Sequence, residues 1–246
     1  MNDEDFTAYL DKQTGAAAET PIQAFVTNLG KYNEGELVGE WLPLPTTKEQ
    51  VQECFARIGL DGKRYEEFFI TDYETPISGL REHLGEYSNL DELNYLATML
   101  DELPSYQTPV FEAALELGDY TGSVKDIINL TGEDNLSSIE FLDGVHDNSD
   151  LGYYWIEESG CYDLESMGNL ARYFDYEAFG RDIQIEQGGT FTSAGYVSSR
   201  YDRFDEFYDG MKVPEEYRVC AFPDKDTYKK LNEKAKKDSA QDKDAR

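Results

Sequence analysis

The chain has 246 residues and sets 51 acidic against 22 basic side chains, a formal charge of −29 with both histidines neutral. That balance argues against DNA, RNA or an anionic membrane as a direct partner, since each is itself negative, and makes a basic protein surface the natural counterpart. Hydrophobic residues at 39%, with 13% aromatic, still suffice for a core, so general disorder is not expected.

Residues 1–20 read as an N-terminal extension; the opening MNDEDFTAYLDKQTG is acidic and lacks the apolar centre of a signal peptide. No run approaches the roughly 18 apolar residues of a membrane-spanning helix. Residues 21–76 form the first expected domain. Ile22–Asn28 reads as a strand, Gly30–Gly35 as a turn-rich loop, and Glu36–Leu44 as a second strand closed by Pro43 and Pro45. Thr47 with Gln50 three residues on is a capping-box pattern that opens a helix ending near Gly59. Tyr65–Asp72 supplies a further strand, giving a small antiparallel sheet with one helix.

Residues 77–131 read as a helical domain. In Asn89–Leu103, the residues Leu90, Leu93, Leu96, Ala97, Leu100 and Leu103 recur at helical spacing, with Asp91, Asp101 and Glu102 on the other side and Glu92 on the flank. Thr108 is expected to cap the next helix, with Pro109 at its first position and Gly118 at its end. On that helix Glu112, Glu116 and Asp119 follow i, i+4, i+7, an arrangement that costs about 0.2–0.5 kcal/mol per pair and that helix stability does not ask for.

Residues 132–208 read as an α+β domain: strand Ser138–Leu142, helices Asp150–Ser159 and Leu164–Phe174, and strand-like pieces at Ile183–Glu186 and Phe191–Val197. Its dense aromatics, among them Tyr153, Tyr154, Trp155, Tyr173, Phe174, Tyr176 and Phe179, suit a core, with a minority available for self-association. Residues 209–246 read as a tail, mobile or a lone helix. The fold class expected is α+β, a chain of three small domains.

No motif carries catalysis. His83 and His146 stand apart from any metal-ligand pattern or nucleophile, and neither a phosphate-binding glycine loop nor a nucleophile elbow is present. The abundant acids permit a carboxylate-pair hydrolase in principle, but no pair is singled out. Asp143–Asp150 is oxygen-rich yet lacks calcium-loop spacing, and reads as a loop and helix cap. Cys54, Cys161 and Cys220 are odd in number and far apart, which fits thiols in a reducing cytoplasm. Without a secretory route, the glycosylation patterns at Asn129 and Asn135 read as chance. No metal or cofactor is expected.

The charge is unevenly placed. Residues 209–246 hold 9 acids and 10 bases, which leaves 42 acids and 12 bases before Asp209. Residues 85–171 hold 19 acids and a single base, Lys125. A general acidic surface, as in halophilic adaptation, would have made the tail acidic too. The candidate partner-binding acids are therefore Glu86, Asp91, Glu92, Asp101 and Glu102, then Glu112, Glu116, Asp119 and Asp126, and then Glu133, Asp134, Asp147, Asp150, Glu157 and Glu158. Proteins grip duplex DNA by setting Lys and Arg against phosphates, and carboxylates accept the same bonds from Arg. Two copies would carry about −60, roughly the phosphate charge of 100 Å of duplex. A DNA mimic needs acids spread over a surface rather than any one residue, which is why no motif marks the site. A general acidic module for some other basic DNA-binding protein is the alternative.

Asn28–Trp41, NLGKYNEGELVGEW, closely resembles the N-terminal signature of the ArdA antirestriction family, as do Tyr173–Ile183, YFDYEAFGRDI, and the GGTF of Gly188–Phe191. The similarity covers about residues 22–208. The resemblance implies an elongated protein of three small domains, dimeric through the third, that mimics bent duplex DNA. It further implies inhibition of type I restriction-modification enzymes through the groove of their specificity and modification subunits, in the cytoplasm of a bacterium carrying a mobile genetic element. The N-terminal extension and the charge-balanced tail depart from the family pattern.

Overall fold

Residues 20–199 and 204–244 are described by a computed structural model of mixed α+β class, with two three-stranded antiparallel sheets. The expected N-terminal extension lies outside the described residues, apart from Thr20. The chain divides into two units, one built from residues up to Glu102 together with those from Asp209 onward, the other from Leu103–Tyr208.

In the first unit β1 (Ile22–Asn28) lies between β2 (Gly39–Leu44) and β3 (Phe68–Glu74), antiparallel to both. All seven β1 residues are buried, and the polar ones are satisfied in place: the Thr27 and Thr71 hydroxyls bond at 3.0 Å, and Asn28 donates to the Ile58 carbonyl at 3.1 Å. Gly30–Gly35 is not all loop, because the Asn28 side chain accepts the Lys31 N–H and starts a short helix, α1 (Leu29–Asn33). None of its residues is buried, so no apolar period announced it.

The capping box at Thr47 and Gln50 forms, and α2 (Lys48–Ile58) buries Val51, Cys54, Phe55 and Ile58 before ending at Gly59, whose φ of 79° suits glycine. β3 begins three residues later than expected. Asp61 instead accepts N–H bonds from Lys63, Arg64 and Tyr65 and bends the preceding segment into a turn.

Asn89 caps α3 (Leu90–Asp101), which buries the expected Leu90, Leu93, Leu96, Ala97 and Leu100. Asn94 is buried there too, because the tail returns to this helix. Its side chain accepts Thr46 N–H at 2.7 Å and donates to Tyr217 O at 3.0 Å. Tyr217 stacks on Tyr95 with ring centres 4.0 Å apart, and the Asp91 carboxylate accepts the N–H groups of Val219 and Cys220, both at 2.7 Å. Phe222 lies 5.8 Å from the Phe55 ring, and Gln52 donates to its carbonyl. The final helix α9 (Lys225–Asp244), started by Asp224 bonding Thr227, rests on α2. The tail is therefore neither loose nor a lone helix where it is described; Val213 and Val219 are buried, and Phe222 lies on Phe55.

The second unit begins with α4 (Thr108–Leu117), α5 (Val124–Leu130) and α6 (Glu133–Ser137). Thr108 is not the cap of α4. That position is Gln107, Thr108 opens the helix and Pro109 sits within its first turn, while Gly118 ends it at φ 84° as expected. Asn129 and Asn135, read as chance glycosylation matches, are fully enclosed. Asn129 exchanges two 2.8 Å bonds with the backbone of Tyr208, and Asn135 bonds the backbone of Asn129 and Asp205.

The second sheet has the order β4-β6-β5, with β4 (Ile139–Asp143), β5 (Thr190–Phe191) and β6 (Gly195–Ser199). Phe191–Val197 is thus a tight hairpin rather than one strand, its turn held by the Thr192 hydroxyl against Ala194 and Gly195. Asp147 caps α7 (Asn148–Tyr153), which continues into a π-helical turn over Tyr154–Glu158. Leu164–Phe174 is not a regular helix: its 3-10 turns are broken at Gly168, φ 54°. Ile183–Glu186 is not a strand but the end of α8 (Tyr176–Gln187). The alternating Ile183 and Ile185 suggested period two, yet Ile183 packs on the core of Leu142, Val145, Leu151 and Tyr196 while Ile185 is 73% exposed. What fixes α8 is its close packing on α7, backbone against backbone at Gly152 and Gly180.

Candidate partner-binding surface

Of the fifteen candidate acids, eleven are exposed, four (Asp91, Glu92, Glu112 and Asp126) are half-buried, and none is buried. They divide between the units, with Glu86, Asp91, Glu92, Asp101 and Glu102 in the first and the other ten in the second.

In the first unit, Asp101 ends α3 and Glu102 is its C-cap, so both project beyond the helix. Asp91 and Glu92 fall in its first turn, where the peptide N–H groups favour negative charge. Asp91 has a structural duty as well, since one of its oxygens holds the returning tail. The tail adds acids that the sequence reading missed. Glu216 lies near Tyr217, whose hydroxyl is raised first by burial and then by the charges of Glu102 and Glu216. Averaging charge over residues 209–246 concealed Glu215 and Glu216, because most of the balancing bases lie further on, in residues 225–246.

In the second unit, the i, i+4, i+7 row on α4 is only partly a helix face. Glu112 and Glu116 lie on α4, but Asp119 follows the left-handed Gly118 and has left the helix. Both later acids meet the second sheet instead: Ser193 donates to Glu116 at 3.3 Å and Ser199 to Asp119 at 2.9 Å. Asp126 accepts from the Ser123 hydroxyl and lies 3.8 Å from the Lys125 ammonium. Glu133 and Asp134 occupy the first turn of α6. Asp147 caps α7, and Asp150 accepts the His146 N–H, so the oxygen-rich stretch serves as loop and cap. The Tyr176 hydroxyl donates to Glu157 at 2.5 Å and is raised above the ordinary tyrosine range by that bond first. Glu158 is exposed beside it.

Cations do little to neutralise these groups. Lys125 is itself held between Asp126 and Glu206, at 3.8 and 3.3 Å. Arg57 pairs with Glu40 and Glu53, Arg64 with Glu34, Arg81 with Asp72, and Arg181 with Asp182. Among the described residues no ion pair engages Glu86, Asp101, Glu133, Asp134, Asp147, Asp150 or Glu158.

Cys54 is buried, and its thiol is pushed up to about 12 by burial first and then by Glu40, against the opposing effect of Arg57. Cys220 is pushed up to about 11 by desolvation and by Asp91. Both are poor nucleophiles, since the thiolate is the reactive form. Among the described residues no group of three His, Cys, Asp or Glu is placed to hold a metal ion, and no helix is long and apolar enough to cross a membrane.

The molecule thus combines two small α+β units with carboxylates spread over the surface of both. A family model described as antirestriction protein (ArdA) matches residues 24–198, and the chain belongs to that family. No curated protein matches it. The matched region takes in Asn28–Trp41 and the segment containing Gly180, and leaves the docked tail outside.

Proposed function

We propose that the protein inhibits type I restriction-modification enzymes by lying in the DNA-binding groove of their specificity and modification subunits, with carboxylates in place of phosphates, and that it catalyses nothing. The observation that carries this reading is the state of the acids between residues 85 and 171. They outnumber bases 19 to one, none of those whose side chains are described is buried, and the one base, Lys125, is tied up within its own unit. Membership of an antirestriction family supplies the kind of target. Arginines lining a DNA groove would find bidentate acceptors at several points, and the contact would weaken with salt.

The protein would act in the bacterial cytoplasm as a homodimer formed through the second unit, where Tyr153, Tyr162, Leu170, Tyr173 and Ile185 are large and exposed. Competition decides the mechanism. Purified protein added to a type I methyltransferase bound to its target duplex should displace the duplex in proportion to its concentration. A complex holding enzyme, duplex and inhibitor together would sink the groove-filling reading.

A further inference from the structure

Beside β3 and the start of α3, the first unit has an open cleft lined by Phe68, Glu86, Tyr87, Ser88, Asp91 and Cys220. Its lining includes two carboxylates and, among the described residues, no base. The Tyr87 ring stacks on Phe69 at 6.3 Å and is still 73% exposed. The backbone beneath is fixed, because Ile70 donates to the Glu86 carbonyl and Tyr73 to the Gly85 carbonyl, each at 2.8 Å. Asp91 fixes the Cys220 wall through its two bonds to the tail. The walls are therefore in place before anything binds.

The same unit shows what such a pair of groups can hold. The Arg64 guanidinium lies 5.0 Å from the centre of the Tyr65 ring and 3.4 Å from Glu34, and the Tyr65 hydroxyl donates to that same Glu34 at 2.8 Å. A tyrosine ring and one carboxylate thus hold an arginine within the chain. Glu86 and Tyr87 offer the same two groups in adjacent positions, and among the described residues no cation pairs with them. A guanidinium is planar, stacks on aromatic faces and is weakly hydrated, whereas an ammonium is a compact and strongly hydrated charge.

We propose that this cleft receives an arginine side chain of the basic partner, its guanidinium stacked on Tyr87 and paired with Glu86. The assignment rests on the reading of the protein as a mimic of DNA, and it names one anchor on a surface otherwise made of scattered charge. Anchors of this kind, an arginine in a preformed pocket, carry a large share of interface affinity.

N-acetyl-arginine amide and N-acetyl-lysine amide, which have equal charge, provide the test when titrated into the labelled full-length chain by NMR. The arginine compound should give saturable shifts at the Tyr87 and Phe68 rings, with shifts from the lysine compound several-fold smaller. Tyr87→Ala should abolish the response, Tyr87→Phe should keep it, and Glu86→Gln should weaken it. Against a type I methyltransferase, Tyr87→Ala and Glu86→Gln should each lose about tenfold in affinity, while Asp226→Asn on exposed α9 should leave it unchanged. Equal responses to the two compounds, or an unaltered response in Tyr87→Ala, would overturn the cleft assignment even if the chain still displaces duplex. An arginine-selective response in a chain that fails to displace duplex would keep the cleft and sink groove occupancy.

Discussion

The α-carbon of Gly180 in α8 lies against the carbonyl oxygen of Asn148 in α7, so close that a Cβ at position 180 would overlap it. Gly152 meets the Tyr176 carbonyl in the same way from the other helix. Gly180→Ala or Gly152→Ala must drive the helices apart and should cost about 3 kcal/mol, read as a lower urea midpoint. Gly85→Ala, where the nearest foreign atom is the Ser88 hydroxyl oxygen at 3.6 Å, should change stability far less.

Asn129 answers both backbone groups of Tyr208 and is wholly enclosed. Asn129→Ala removes both of these buried bonds, so a loss of about 3 kcal/mol is expected. Hydrogen exchange should quicken at the Tyr208 amide in particular.

Asp91→Ala removes the acceptor of two N–H groups in the tail. With charge-assisted bonds each contributing about 1.5–3 kcal/mol, the first unit should lose about 3 kcal/mol, and the Val219 and Cys220 amides should exchange rapidly. Unchanged protection at those amides would contradict the tail's docking.

Inhibition should be insensitive to any one helix acid and sensitive to several. Glu112→Gln alone should change the inhibitory concentration less than about twofold. Neutralising Glu112, Glu116 and Asp119 together should raise it about tenfold and flatten its salt dependence. A tenfold effect from Glu112→Gln alone would argue against scattered recognition.

The alkaline limb of stability should bear the mark of Cys54 and Tyr73. Burial pushes both groups up to about 12, from ordinary values of 9.0 and 10.0. The folded state therefore keeps protons that the unfolded chain has lost. Their contribution is fully present below pH 9 and declines as pH rises toward 12. Denaturant midpoints should fall through that range, and Cys54→Ala should make the fall shallower.

Much of the first unit was legible because its signals are local. The box at Thr47 and Gln50, the leucine period of 90–100 and the left-handed Gly59 each act within a few residues. The misreadings arose where distant contacts decide. Ile183–Glu186 alternates like a strand, but its conformation is set by the approach of α7 at Gly180. What Asn129 and Asn135 do was not legible either, since Asn129 bonds the backbone 79 residues away and Asn135 bonds it 70 residues away. The acid surface was legible as composition, while the Glu86–Tyr87 cleft was not, because one of its walls comes from residue 220.

That returning wall has a consequence for synthesis. Asn94 and Asp91 find their partners 123 to 129 residues further along the chain, after the whole second unit has been made. On the ribosome the second unit can close while the first still waits. A premature stop codon anywhere within residues 103–208 would therefore damage both units, leaving a buried asparagine and a carboxylate in the first without the strand of chain they were shaped to hold.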